Sequence, residues 1–292
     1  MSIIEEIQYR FKAGNAIVRI ILINVVIFIL VALLQLLGFL FQANWTSSLL
    51  SWLSVPASLG KLIYQPWSLI TYMFLHTGIF HILFNMLWLY WIGQLFQQYL
   101  GNSKTYQAYF LGGIFGAIVY ILAYNLFPVF QSQVEIASAM GASAGVLSIV
   151  VATATLLPDY SISLLFIGAI RLKYIALFSV LMDLISIPQG NPGGHIAHLG
   201  GAAFGFIFIK LIYNKSSASN NLDRVFEWFS KGFQSSKSPK LKVKYKATSK
   251  TNSSEVGKPS QDEIDAILDK INRGGYENLS KKEKEILFKA SK

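Results

Sequence analysis

The sequence predicts an all-α polytopic membrane protein with a small helical appendage, and three observations support this fold class. Of the 292 residues, 53% are hydrophobic and only 14% are charged, whereas soluble globular proteins have about 25% charged residues. Long apolar runs fill residues 17–213, and residues 214–292 carry most of the charge. Several of the apolar runs approach the roughly 20 residues that a helix needs to cross a bilayer.

Six membrane-spanning helices are predicted from these runs, all within a domain of residues 17–213. They cover residues 17–40, 78–99, 105–126, 142–157, 172–187 and 195–213. The fourth and fifth are short, which suits burial in the middle of a helix bundle. The stretch 161–170 fits either a short cytoplasmic strand turn or a re-entrant piece, and the loop 41–67 is predicted to lie at the membrane interface.

The distribution of basic residues predicts the orientation. With six spans both termini share one side, and that side carries the basic residues Arg10, Lys12, Arg19, Lys104, Arg171 and Lys173. The loops of the opposite side contain one basic residue, Lys61. Because basic loops stay in the cytoplasm, we expect a multi-pass protein of the plasma (inner) membrane with both termini cytoplasmic. The net charge of +10 is then a consequence of topology, and no nucleic-acid partner is predicted.

The two ends of the chain differ from the apolar domain. Residues 1–16 are predicted to be a cytoplasmic N-terminal segment, and residues 214–260, rich in Ser, Lys, Asn and Thr, a flexible basic linker. Residues 261–292 are predicted to form a small cytoplasmic helical hairpin. Apolar residues recur there at helical spacing, Gly274 and Gly275 interrupt the pattern, and Ser280 with Glu283 forms a capping box.

Polar residues collect at the outer ends of the even-numbered spans. They are His76 and His81 with Asn85 at the second span, Ser143 at the fourth, and His195 and His198 at the sixth. The predicted orientation places them at similar depth, and polar side chains inside a membrane usually have a function. His81 and Asn85 lie one helical turn apart and share a face.

These residue types fit acyl transfer by a serine nucleophile. Ser143 opens a helix, where free backbone N–H groups can stabilise an oxyanion, and a histidine in reach takes and returns the proton. Gly201 and Gly205 form a small-xxx-small pattern that can press His198 against the Ser143 helix. The Ser143 N–H, the Asn85 amide and the His81 imidazole are candidate oxyanion donors, at about 3 kcal/mol per donor.

Each of these residues also has an explanation that involves no catalysis. A serine or a glycine pattern inside a span commonly serves helix packing, and an intramembrane histidine serves packing, a pore or a metal. The absence of cysteine excludes thiolate sites. The chain has no H-E-x-x-H motif, and Asp183 and Glu135 stand at no ligand spacing to a histidine, so neither a metal nor a cofactor is predicted.

Three motifs together resemble the rhomboid family of intramembrane serine proteases. They are His-Ile-Leu-Phe-Asn at 81–85, Gly-Ala-Ser-Ala at 141–144, and Ala-His-Leu-Gly-Gly from Ala197 with Gly205 following. The resemblance covers about residues 17–213, in the family's order and span positions, and it implies a six-transmembrane-helix rhomboid-like bundle.

For the site, the resemblance implies a catalytic dyad of Ser143 and His198 without an acidic third member, and oxyanion stabilisation by His81 and Asn85. It leaves His195 as a loop or entry residue, with the glycine-rich loop 188–194 above the site. The implied partners are single-pass transmembrane protein substrates, cut near the outer membrane face, and the lipid bilayer.

Two departures from the family pattern fall next to the serine. Ala144 stands where glycine is usual and adds a methyl beside the oxyanion site, although Gly145 follows at once, and Leu147 replaces a common aromatic residue. Neither removes a catalytic group, so an active enzyme is expected, and the effect of both residues on activity is left open. The rival hypotheses are a non-cleaving rhomboid-like protein that binds membrane clients and a small channel or transporter that uses the histidines. Oligomeric state, substrate identity and the role of the hairpin 261–292 are left open.

Overall fold

A computed structural model describes residues 5, 11, 15–164, 168–214 and 261–290. The predicted N-terminal segment 1–16 and linker 214–260 lie almost wholly outside the described residues. The chain divides into two compact units, Met1–Ser235 and Ser236–Lys292, and each is described by itself.

The first unit is built of helices with two small sheets. Its helices are α1 Ala16–Leu40, α2 Trp45–Leu53, α3 Leu59–Tyr64, α4 Ser68–Thr71, α5 Ile79–Leu126, α6 Ser143–Leu156, α7 Leu172–Ser186 and α8 Pro192–Tyr213. Its strands are β1 Val55–Pro56, β2 Ser138–Ala139, β3 Ser161–Leu164 and β4 Gly168–Arg171. Both sheets are antiparallel pairs, β1 with β2 and β3 with β4, and they are the exception to the all-α expectation.

Among the described residues, three helices are long and apolar enough to cross a membrane: α1, α5 and α8. The 48-residue α5 contains both the second and the third predicted span, and it is broken at Gly101, which has φ 75° and ψ 176°. Such a conformation is accessible essentially to glycine alone. The described structure thus assigns fewer separate spanning helices than the six predicted, because two of the predicted spans share α5 and two others are short.

The break at Gly101 folds α5 back on itself. A straight helix would hold His81 and Gly116 about 50 Å apart, at 1.5 Å per residue. Both of them instead approach the short segment from Gly141 to Ala144, with His81 beside Gly141 and Gly116 beside Ala144. The two arms, 79–100 and 102–126, therefore bring their far ends to the same place.

Helix α6 lies at the centre of this unit. Its residues from Ala144 to Ala154 are all buried, and it packs against α5, α7 and α8. A helix that is apolar on all sides belongs in such a position. Its 14 residues are enough because other helices cover it from every side.

Helix α8 begins earlier than the predicted sixth span. The expected start was residue 195, whereas the helix starts at Pro192. Asn191, in the left-handed region with φ 49°, caps the helix by accepting a hydrogen bond from the Gly194 N–H, and proline suits the first helical position. Because of these two residues, Gly193 and Gly194 belong to the first turn of α8 rather than to the predicted loop.

Within the ambiguous stretch 161–170, strands β3 and β4 pair antiparallel, with Ser161 opposite Arg171. The strand part of the strand-turn interpretation is confirmed, and its cytoplasmic location stays a prediction. At the base of this strand pair, Lys173 lies 2.6 Å and Arg171 3.3 Å from the Asp159 carboxylate. The hydrogen bond from Lys173 and its charge lower the pKa of Asp159 below its usual range. This exposed ion cluster marks the end of the bundle opposite to the N-terminus of α6.

The loop 41–67 is ordered by α2, β1 and α3. Trp52 and Trp67 stack with ring centroids 4.8 Å apart, and the Trp67 indole N–H donates to the Trp52 carbonyl. Strand β1 pairs with β2, which leads into the segment before α6. The interfacial location of this loop stays a prediction.

The second unit contains α9 Gln261–Gly274 and α10 Lys281–Ala290. The predicted capping box is confirmed, because the Ser280 N–H donates to a Glu283 carboxylate oxygen (2.7 Å) and the Glu283 N–H donates to Ser280 Oγ (3.3 Å). A hydrogen bond from Lys270, followed by those from Ser280, lowers the pKa of Glu283 to about 2. The chain turns between the helices at Gly275, where φ is 80°.

Candidate active site

The candidate nucleophile Ser143 is the first residue of α6, and the segment before it is held at two points. The Gly141 N–H donates to the Tyr72 carbonyl (2.9 Å), and the Ala142 N–H donates to His76 Nε2 (3.4 Å). Gly141 has φ 130°, a conformation that side-chain-bearing residues rarely adopt. The turn into α6 is thus fixed by hydrogen bonds and by a glycine, and it presents the serine at the helix N-terminus.

His198 reaches Ser143 because α8 packs very closely on α6. A Cβ added at Gly201 would lie 2.1 Å from the Ala144 carbonyl oxygen, and one at Gly205 would lie 2.2 Å from the α6 backbone. The predicted small-residue packing of these helices is confirmed. One turn before Gly201, His198 Nε2 lies 2.6 Å from Ser143 Oγ, which is hydrogen-bond distance.

His81 and Asn85 line the other side of Ser143. A Cβ built on Gly141 would lie 3.0 Å from His81 Nε2 and 3.5 Å from Ser143 Oγ. The imidazole and the hydroxyl therefore face each other across Gly141, which has no side chain. Asn85 is buried, and its amide donates to the His81 carbonyl (2.8 Å). The structure brings all four predicted site residues together.

An acidic residue completes the arrangement, contrary to the prediction. Asp183, on α7, accepts a hydrogen bond at Oδ1 from His198 Nδ1 (2.8 Å) and another from His195 Nδ1 (2.8 Å). The resemblance implied no acidic third member, whereas the structure places this carboxylate against His198. The expectation that Asp183 stands at no ligand spacing to a histidine is wrong, because its carboxylate lies within 4.8 Å of donor atoms of His195 and His198. Spacing along the sequence does not describe contacts between different helices.

His195, for which the resemblance left a loop or entry position, lies in the first turn of α8, as its place at the start of the predicted sixth span suggested. The loop alternative is therefore wrong, and His195 shares the Asp183 carboxylate with His198. His76, which the sequence left without a role, is fully buried and holds the backbone before the nucleophile.

Asp183, His195 and His198 form the group of side chains best placed to hold a metal among the described residues, with one donor atom each, all within 4.8 Å of one another. Two imidazoles and a carboxylate are a common zinc ligand set. In this structure the Nδ1 atoms of both histidines lie at hydrogen-bond distance from Asp183 Oδ1.

The structure shows where the methyl of Ala144 lies. It packs toward α5, where a Cβ at Gly116 would lie 2.8 Å from it, and Ala144 is almost fully buried. Glycine at position 116 provides the space that the extra methyl needs. Leu147, which replaces the common aromatic residue, lines the cavity beside Ser143.

A cavity of about 130 Å³ opens beside the serine. Its lining residues are Asn85, Trp88, Ser143, Val146, Leu147, Val150, Ser179, Asp183 and His198. It is small compared with the roughly 300–1,000 Å³ of ordinary small-molecule sites, so it suits a single small side chain next to the hydroxyl.

Comparison with known families identifies the fold. The family model for the rhomboid domain matches residues 64–215, more than half of the chain. The chain belongs to the rhomboid family. In this rhomboid the matched region contains every residue of the candidate site, from His76 to His198.

Curated relatives agree with this assignment. The chain is 30% identical over 122 residues to the rhomboid protease GlpG of Serratia proteamaculans, covering 37% of this chain and 40% of the relative. It is 30% identical over 93 residues to that of Pectobacterium atrosepticum (32% and 29%), and 27% identical over 95 residues to that of Yersinia pestis (32% and 30%). The chain thus spans less than half the length of these relatives.

The C-terminal hairpin matches a second family. Residues 251–292 fit the model of a family of unknown function (DUF6576). The appendage is therefore a recurring module, and its match begins ahead of α9.

Proposed function

We propose that this rhomboid is an intramembrane serine endopeptidase that cuts transmembrane segments of membrane proteins near the outer membrane face. The observation that carries the proposal is the 2.6 Å contact between Ser143 Oγ and His198 Nε2, at the N-terminus of a buried helix. Relatives named as rhomboid proteases support it.

The proposed reaction uses Ser143 as nucleophile and His198 as general base and acid. Ser143 Oγ attacks the scissile carbonyl carbon while His198 Nε2 takes the hydroxyl proton. The tetrahedral intermediate collapses, the C–N bond breaks, and His198 returns the proton to the leaving amine. Water then attacks the acyl-enzyme and passes a proton to His198. The bond between the acyl carbon and Ser143 Oγ breaks, His198 returns the proton to Ser143 Oγ, and the acid product leaves.

The developing oxyanion is proposed to be held by three donors. The first-turn N–H of Ser143 has no acceptor within the helix, since intrahelical bonding begins with Val146 donating to Ala142. The His81 imidazole and the Asn85 amide supply the other two. Donors fixed in place before the reaction lower the barrier because they need no reorganisation.

The proposed topology has six spans, with the two arms of α5 counted separately and the short helices α6 and α7 included. Of these two, α6 is buried, whereas most residues of α7 are partly or fully exposed, so the expected burial of the fifth span is wrong. Both termini and the hairpin 261–292 are proposed to be cytoplasmic, on the argument of basic loop charge. The Ser143 end of α6 then faces outward in the inner membrane, and single-pass proteins meet the site there.

The test is cleavage of a reporter with one transmembrane segment by the purified protein in lipid vesicles. We expect two products, with the new ends mapped by mass spectrometry to the outer part of the segment. The matched control is the same reporter with the segment replaced by polyleucine, which forms a stable helix and presents no small side chain for the cavity.

A reporter that stays intact but co-purifies with the protein would contradict cleavage and favour client binding instead. Ion flux through vesicles that contain the protein, unaffected by Ser143→Ala, would favour the channel hypothesis.

A further inference from the structure

Asp183 is a carboxylate among apolar residues. It lies on α7, whose other residues are largely apolar, and only 12% of its side chain is exposed. A buried carboxylate is costly unless it is paired and hydrogen-bonded. Its partners here are the Nδ1 atoms of His195 and His198, both 2.8 Å from Oδ1.

The contact with His198 determines which nitrogen of that ring carries the proton. A carboxylate oxygen only accepts hydrogen bonds, so the Nδ1 atom that faces Asp183 must carry hydrogen. In the neutral imidazole, Nε2 is then the unprotonated nitrogen, and it faces Ser143 Oγ at 2.6 Å. This is the tautomer that a general base needs.

His195 is bound to the same oxygen from the neighbouring position on α8. It lies three residues before His198, so both rings stand on one face of the helix, with centroids 5.9 Å apart and planes at 84°. It donates through Nδ1, as His198 does, and is a second donor that fixes Asp183. The result is a continuous line of contacts from Ser143 through His198 and Asp183 to His195.

We infer that Asp183 is a positioning residue that holds His198 in its productive tautomer and orientation, and that His195 holds Asp183 in turn. The inference rests on the proposed function and deepens it. Asp183 also lines the cavity beside Ser143, but it forms no bond to the reacting atoms and keeps its charge throughout, since the proton moves only between Ser143, His198 and the leaving group. The hydrogen bond also stabilises the imidazolium that forms when His198 accepts the proton.

The kinetic test uses Asp183→Asn, which keeps the size of the side chain and removes its charge. The amide can donate to Nδ1 and so select the wrong tautomer, and we expect kcat for reporter cleavage to fall about 10²- to 10⁴-fold with KM within about threefold of wild type. His195→Ala leaves the Asp183–His198 contact in place, and we expect a smaller loss, about tenfold. Asp159→Asn, a carboxylate change in the exposed ion cluster, is the matched control and leaves kcat unchanged.

A second measurement needs no catalysis. In Ser143→Ala protein labelled with ¹⁵N-histidine, we expect the nitrogen shifts of His198 to show a protonated Nδ1 and an unprotonated Nε2. Adding Asp183→Asn shifts the ring toward the other tautomer. The nitrogen shifts of His198 do not change when a residue that only fills space is replaced. The measurement also remains valid if the protein fails to cleave the reporter, a result that would overturn the proposed function alone.

Three results would overturn the inference: wild-type kcat in Asp183→Asn, a raised KM at unchanged kcat, or a His198 that is protonated at Nε2 in wild type. Loss of activity with a chelator and recovery with Zn²⁺ would also overturn it, because a metal would then occupy the Nδ1 atoms in place of the hydrogen bonds.

Discussion

Ser143→Ala is expected to abolish reporter cleavage, with a loss of about 10⁴-fold or more. The substitution removes the only atom that forms the covalent bond, and the remaining N–H donors at the start of α6 cannot replace it. The protein should keep its fold, because Ser143 Oγ makes its contact with His198 rather than with the backbone core. The measurement is the initial cleavage rate, with thermal unfolding as the check on structure.

The matched control for this change is Ser148→Ala, in the same helix. Ser148 Oγ donates to the Ala108 carbonyl, 2.8 Å away in a buried position, and its loss costs about 1 kcal/mol of unfolding free energy. We expect Ser148→Ala to lower the unfolding temperature slightly and to keep its cleavage rate. A Ser143→Ala protein that cleaves as fast as Ser148→Ala would refute the nucleophile assignment.

Gly201→Ala is expected to cause the second large loss, through packing. The new methyl would stand 2.1 Å from the Ala144 carbonyl oxygen, and neither backbone can yield without moving a helix. We expect α8 to shift away from α6, at a cost of about 1–3 kcal/mol in unfolding free energy. A displacement of about 1 Å between His198 and Ser143 would lower the cleavage rate about 10²-fold.

Gly60→Ala, in α3, is the control for the general effect of replacing a helical glycine with alanine. Its nearest contact would be Ser58 Oγ at 3.6 Å, which is ordinary van der Waals distance, so α3 should accept it with unchanged activity. Equal unfolding temperatures and rates for Gly201→Ala and Gly60→Ala would contradict the close packing that brings His198 to the serine.

The helices were predictable because apolar length and breaking residues encode them directly. The boundaries of α1, α6 and α7 lie within one residue of those predicted. The start of α8 was missed because proline and asparagine were interpreted as loop residues when they form a helix cap. The β1–β2 pair was missed because two-residue strands leave no periodicity.

The proximity of Ser143 and His198 could be predicted from their similar depth in the membrane, from the spacing of Gly201 and Gly205, and from the family resemblance. Asp183 was missed because it lies on a different helix from its partners, and the helical spacing of a sequence relates only residues of one helix. One signal was available: a single acidic residue in a predicted span is a functional candidate by default. The shared contact with two histidines required the packing of α7 against α8, which no local pattern encodes.

The most direct test of the central claim, that His198 activates Ser143, is covalent labelling with a fluorophosphonate, read by intact mass and peptide mapping. The expected result is one adduct per chain, located on Ser143, with a labelling rate that falls about 10²- to 10⁴-fold in His198→Ala. Labelling of another residue, or equal labelling rates in wild type and His198→Ala, would contradict it.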